Sequence, residues 1–191
     1  MKKLFALLLA VVVLSSCNKK AAEPPKELPQ GHPPMTESST SAAAGVHWNV
    51  PSSWTVGPPR QMRVATYNIP AAKGDDEGAE CGVFYFGTGQ GGDIEMNIDR
   101  WVNQFENAGK PGRSSKEVKG MKVELVNVAG TYLAPSGPMM QSSGKKENYR
   151  LLGAIISAPS GSVFFKLTGP AKTVAAAEGD FNSLVESITK E

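Results

Sequence analysis

The chain is poor in the side chains that carry most enzyme chemistry. Of its 191 residues only two are histidine and two are cysteine. His32 lies alone among prolines, and His47 stands beside Trp48 and Pro51, so a nucleophile would find a single imidazole to activate it. Serines are many, but none sits in a nucleophile-elbow pattern. A metal centre needs clustered ligands, and His47, Cys81 and the methionines are scattered without ligand spacing. Asp75-Asp76-Glu77 reads as a solvated loop rather than as two acids converging on a cleft. No catalytic residue, cofactor site or metal site is expected, and the chain reads as a non-enzyme.

Long apolar runs are missing too. The longest, Leu4 to Leu14, follows a basic Met1-Lys2-Lys3 start. As a helix it would reach only about half of a ~30 Å hydrocarbon core. That is the length of a signal-peptide apolar region and not of a membrane span. The next residues, Leu14-Ser15-Ser16-Cys17, resemble the lipobox of bacterial lipoproteins. The resemblance implies that residues 1–16 are a removable signal. It also implies that Cys17 becomes the acylated, palmitate-bearing first residue, whose lipid chains hold the protein on a bilayer. Asn18 in the second mature position favours the outer membrane, with the domain facing the periplasm. With Cys17 committed to lipid, Cys81 has no partner for an intramolecular disulfide. Its apolar neighbours Val83, Phe84 and Phe86 suggest a buried, inert thiol.

Residues 17–44 are rich in proline, serine, alanine and alternating charges, with Pro24-Pro25, Pro29 and Pro33-Pro34 forbidding a continuous helix. They read as a disordered tether. Residues 45–191 then form a segment of ordinary single-domain length. An excess of charge of either sign is absent. The whole chain carries 20 lysines and arginines against 18 acids; without Lys2 and Lys3 the balance is 18 of each. Removing three lysines and three glutamates with the tether leaves 15 of each. A neutral domain lacks the footprint of nucleic-acid binding, so no nucleic-acid partner is expected.

What is present is a run of strand and helix patterns. Met62–Ile69 and Cys81–Phe86 read as strands separated by a polar loop. Ile94, Ile98, Trp101, Val102 and Phe105 form one helical stripe capped by Asp93, with Glu95, Asp99, Arg100 and Gln104 away from it. Strands are expected over Met121–Leu133, Tyr149–Ser157 and Ser162–Leu167, the last two joined by a turn at Pro159-Ser160-Gly161. A helical C-terminus carries Phe181, Leu184, Val185 and Ile188 on its core-facing side, with a break near Gly179-Asp180. Strands, helix, strands, helix is the order of an α+β fold, an antiparallel β-sheet flanked by helices.

Two motifs remain. Gly87-x-Gly89-x-x-Gly92 lies between a strand and a helix, as a dinucleotide fingerprint does. Asp93 and Glu95 occupy the helix end where a pyrophosphate would bind, which favours a glycine turn that lets the helix pack closely. Met139-Met140 falls in an expected long loop, Ala134–Asn148. It reads as a partner-contact surface, a copper-capturing pair or a plug against the core.

Several stretches together are similar to a family of uncharacterised bacterial lipoproteins with a PsbP-like domain. They are Tyr85-Phe86-Gly87-x-Gly89-Gln90-Gly91-Gly92, Asn97-x-x-Arg100-Trp101-x-x-Gln104-Phe105, Gly130-Thr131-Tyr132, Gly137-Pro138-Met139 and Phe165-Lys166-Leu167-Thr168-Gly169-Pro170. The resemblance implies a PsbP-like α/β/α sandwich and, through that fold, a non-enzymatic protein-binding or assembly module in the envelope. The alternative is a periplasmic small-ligand or metal-binding protein.

Overall fold

The computed structural model describes residues 41–136 and 141–191. Two short strands, β1 (Ala42–Ala43) and β2 (Val46–His47), form a small hairpin. They lie partly within the segment read as tether, and Ala44 between them is buried. Then come β3 (Thr55–Val56), β4 (Ala65–Ile69) and β5 (Ala79–Phe84). Helix α1 (Ile94–Val102) is followed by β6 (Phe105–Glu106), β7 (Gly112–Val118), β8 (Met121–Ser136), β9 (Gln141–Ala158) and β10 (Gly161–Pro170). Helices α2 (Ala171–Ala176) and α3 (Glu178–Ser187) lead to a last short strand, β11 (Thr189–Lys190). The large sheet runs β3-β4-β5-β10-β9-β8-β6, with β7 also paired to β8, and every pairing is antiparallel. Strands β1, β2 and β11 form a separate small sheet. The protein is therefore α+β, an antiparallel sheet with helices on both faces.

The period-2 alternation of strand side chains sorts the core into two layers. In β9, Leu152, Ala154 and Ile156 face α2 and α3, while Leu151 and Ile155 face α1. In β10, Val163, Phe165 and Leu167 take the first direction and Phe164 the second. The α2–α3 layer is the larger and adds Trp48, Trp54, Tyr67, Cys81, Phe181 and Leu184. Cys81 is fully buried in it, and that burial pushes its thiol well above the usual range.

The sequence patterns need further correction along the chain. Helix α1 stops at Val102, and Phe105 reaches the same core from β6 instead of from a further turn of helix. The polar β7 carried no apolar alternation and was not expected. It is an outer strand paired only with β8, and six of its seven residues lie outside the core. The break in the C-terminal helix falls at Ala177, not at Gly179-Asp180. Most consequentially, the expected loop Ala134–Asn148 is largely strand. β8 continues to Ser136 and β9 begins at Gln141, leaving only residues 137–140 between them. Residues 144–148 of β9 are exposed, so residues such as Lys145 and Glu147 show no hydrophobic period.

Helix α1 is held where the pattern placed it. The Asp93 carboxylate accepts from the Met96 amide at 3.1 Å, closing its first turn. The glycine turn before it has a packing role. A methyl group at Gly91 would come within 3.0 Å of the Phe164 ring, and the backbone there is left-handed, with φ of 96°. Further along, Gly153 on β9 lies directly beneath Trp101, where any Cβ would overlap the indole. These two missing side chains allow α1 to lie against the sheet.

Candidate functional site

A nine-residue helix cannot cover one face of an eight-stranded sheet. Beside α1 the sheet is left open as a cleft of about 1320 Å³. Its floor is formed by β5, β10, β9 and β8, through Gly82, Lys166, Tyr149 and Tyr132. One wall is α1 and the turn after it, with Asn97, Arg100, Trp101 and Gln104. The opposite wall is the segment Arg60–Arg63 together with Glu77 and Gly78.

Rings supply much of the lining. Tyr132 and Tyr149 stack with centroids 5.7 Å apart and planes within 3°. Phe84 and Phe86 stack at 6.3 Å, and Phe86 meets Phe164 edge-on at 5.7 Å. The remaining lining is charged and unbalanced. Arg60, Arg63, Arg100, Lys146 and Lys166 face only Glu77 and Glu80. Glu80 is taken by Arg60 at 2.9 Å and Arg63 at 2.7 Å. Glu77 is taken by Lys146 at 2.8 Å and by the Tyr149 hydroxyl, and these two hydrogen bonds hold its carboxyl below the usual range. Arg100 donates to the side-chain carbonyl of Asn97, and neither it nor Lys166 forms an ion pair among the described residues.

Lys166 is the centre of the arrangement. Its Nζ donates to Gln104 Oε1 at 2.5 Å and lies 3.4 Å from the Tyr132 hydroxyl, 5.5 Å from that ring's centre. Its cross-strand partner is Gly82, where the absent side chain leaves room for the Arg63 guanidinium, 5.4 Å above the Phe84 ring. Burial, with Arg63 and Arg100 close by, pushes the Lys166 ammonium down to about 8. Two residues along, the hydroxyl of Thr168 is buried against the same cleft with no hydrogen-bond partner among the described residues. Asn97 braces the wall by donating to the carbonyls of Gly91 at 2.8 Å and Asp93 at 2.7 Å.

Of the residues singled out in the sequence, Cys17, Met139 and Met140 lie outside the described residues. His47 is exposed in the small sheet, with Nε2 2.6 Å from the Thr189 hydroxyl. The acidic run is engaged and not merely solvated. Asp75 accepts from the Thr173 amide at 2.8 Å and hydroxyl at 2.7 Å, capping α2, while Glu77 borders the cleft. Among the described residues no three histidine, cysteine, aspartate or glutamate side chains come together as metal ligands. The apolar pattern places Arg100 and Gln104 away from the helical stripe and does not itself point to the cleft. They flank the apolar stripe and border the open sheet. A signal did exist: Asn97, Arg100 and Gln104 are spaced by three and four, one continuous polar edge beside that stripe. Four of the five stretches that carry the family resemblance contribute to this lining.

Comparison with known proteins speaks first to the class. Residues 1–18 match the prokaryotic membrane lipoprotein lipid attachment site. The protein is a lipid-anchored lipoprotein of the cell envelope, and among its described residues no helix is long and apolar enough to cross a membrane. No curated protein matches the sequence. Among solved structures, the fold is similar to cyanobacterial PsbP (CyanoP) from Synechocystis sp. PCC 6803, at 8% identity and a TM-score of 0.48. That match covers 83% of this chain and 100% of the other. It is similar also to PA94 from Pseudomonas aeruginosa, a protein of unknown function, at 12% identity and a TM-score of 0.45. There the coverage is 73% and 99%.

Proposed function

We propose that this lipoprotein is a non-enzymatic binding module whose working surface is the cleft beside α1. The attachment site fixes one end of the chain to lipid. Asn18 at the second mature position supports the outer membrane as its place and the periplasm as the side the domain faces. One observation carries the binding reading. In a domain with 15 charges of each sign, five cations and two carboxylates line a single aromatic-walled cleft. Like charges gathered on a partly desolvated surface repel one another, and an arriving anion relieves that repulsion. Apart from Thr168, the polar groups described here bond to one another or to nearby backbone. None is arranged as a nucleophile with its base, so holding a partner fits the site better than transforming it.

Hydrogen exchange tests this without presupposing the partner. The acylated protein in nanodiscs, mixed with a total envelope extract, should show slowed exchange at residues 60–64 and 88–104. The same extract should leave a Lys166→Met, Arg100→Gln double variant unchanged there. Slowing confined to another face would remove the cleft as the working surface.

A further inference from the structure

We infer that the cleft takes a small aromatic acid: a carboxylate or phosphate head attached directly to a flat ring. The inference rests on the binding reading above and narrows it to a ligand class. The head group is specified by the surplus of cations over carboxylates in the cleft lining. Among the described residues Lys166 and Arg100 have no carboxylate partner, and Arg63, held by Glu80 at 2.7 Å, lies over Gly82, the residue paired across the strands with Lys166. The Thr168 hydroxyl, buried and unpartnered among the same residues, lies on the same strand two residues from Lys166 and supplies a further donor.

The ring is specified by how closely charge and aromatic surface are interleaved. Lys166 Nζ is 5.5 Å from the centre of Tyr132, and the Arg63 guanidinium carbon is 5.4 Å from the centre of Phe84. A ligand whose anion is bonded straight to a ring meets a cation and an aromatic face over that spacing. An aspartate or glutamate side chain brings the anion but no ring, and leaves the half-buried, stacked Phe84–Phe86 pair uncovered. Aromatic faces recognise flat partners by offset or edge contact, so both parts of the ligand contribute. The cleft volume exceeds that of a typical small-molecule pocket, which leaves space for substituents on the ring.

The probes are 1-naphthoate and 1-naphthyl phosphate, titrated calorimetrically into the acylated protein in neutral-lipid nanodiscs, with empty nanodiscs as the blank. Saturable binding is expected for at least one of them, and which one binds identifies the head group. Neutral 1-naphthylmethanol, and acetate or inorganic phosphate alone, should each bind at least about tenfold more weakly, because each lacks one half of the recognition. Lys166→Met and Arg100→Gln should each weaken the anionic probe by about tenfold or more, and Lys116→Gln on the far side of the sheet should not. Circular dichroism identical to the parent shows that a variant has folded. Equal binding of the neutral analogue would overturn the inference, as would no binding of either anion. If the anions fail while an envelope extract still protects residues 60–64 and 88–104, the aromatic acid falls and the binding module stands. An acidic protein segment then becomes the occupant. If neither occurs, both fall.

Discussion

The two faces of the central sheet are built from the same strands and reach opposite outcomes. On one, α2, α3 and the N-terminal segment around Trp48 and Trp54 cover the sheet, and the layer beneath is apolar and closed. On the other, α1 covers β8 and β9 through Ile98 and Trp101 and then stops, leaving a cleft lined by charge and by the half-buried Phe84 and Phe86 beside it. The alternation within β10 shows the difference residue by residue. Val163, Phe165 and Leu167 point into the closed layer, whereas Lys166 and Thr168 line the open cleft. A strand with one face fully packed is fixed in register, because a slip of one residue would drive Lys166 into the core. The closed face thus secures the strand on which the open face displays its charge. Stability and binding are assigned to opposite sides of the same backbone.

If that division holds, damage to the closed face should cost the most stability. Phe165 is fully buried and meets Trp48 edge-on, with centroids 5.0 Å apart. Phe165→Ala should lower unfolding free energy by about 3–5 kcal/mol in urea titrations, through lost burial and a residual cavity. A loss below about 1 kcal/mol would mean that the layer collapses to fill the space and is looser than its burial implies. Gly153→Ala tests the other face at the point where it is closed. A methyl there overlaps the Trp101 ring, so α1 must lift from the sheet. The expected cost is about 1–3 kcal/mol, with a changed near-ultraviolet signal from Trp101. Because α1 is also a wall of the cleft, this substitution should weaken probe binding as well. The Phe165 variant, measured where it remains folded, should leave binding nearly intact.

The closed face was largely legible in the sequence and the open one was not. Cys81, Val83, Phe165, Phe181 and Leu184 announce themselves by apolar character and period, because a core needs only hydrophobic side chains at the right spacing. Asp93 announced the start of α1 through its cap, and Pro159-Ser160 the turn between β9 and β10. Arg100, Gln104 and Lys166 carry no such mark. A polar residue beside an apolar stripe looks the same whether it faces bulk water or an uncovered sheet. Only the length of α1 measured against the breadth of the sheet decides between the two. The β8–β9 ribbon was hidden for a related reason: exposed strand residues that pair with each other have no core to impose a period on them. The lipid attachment site was legible because it is a linear motif, read by position and independent of the fold.

The smallest effect concerns the charge itself and discriminates most sharply between the faces. Lys166 has a folded-state value of about 8, below the ordinary 10.5, chiefly because of burial. Below pH 8 the ammonium is protonated in both folded and unfolded chains, and the folded protein bears the full cost of its desolvation. Between pH 8 and 10.5 unfolding takes up a proton, so stability should rise with pH through this window relative to a chain without the group. Lys166→Met keeps the aliphatic stem and removes the charge. It should be more stable than the parent at pH 7, by about 1 kcal/mol once access of water to the open cleft is allowed for. The advantage should shrink toward zero as pH approaches 10.5. Subtracting the two pH profiles cancels titrations remote from residue 166, such as that of Tyr67, whose hydroxyl burial raises to about 12. A constant difference across the window would show that Lys166 is hydrated like a surface lysine. The cleft would then hold its cations at no cost, and an anion would gain nothing by relieving it.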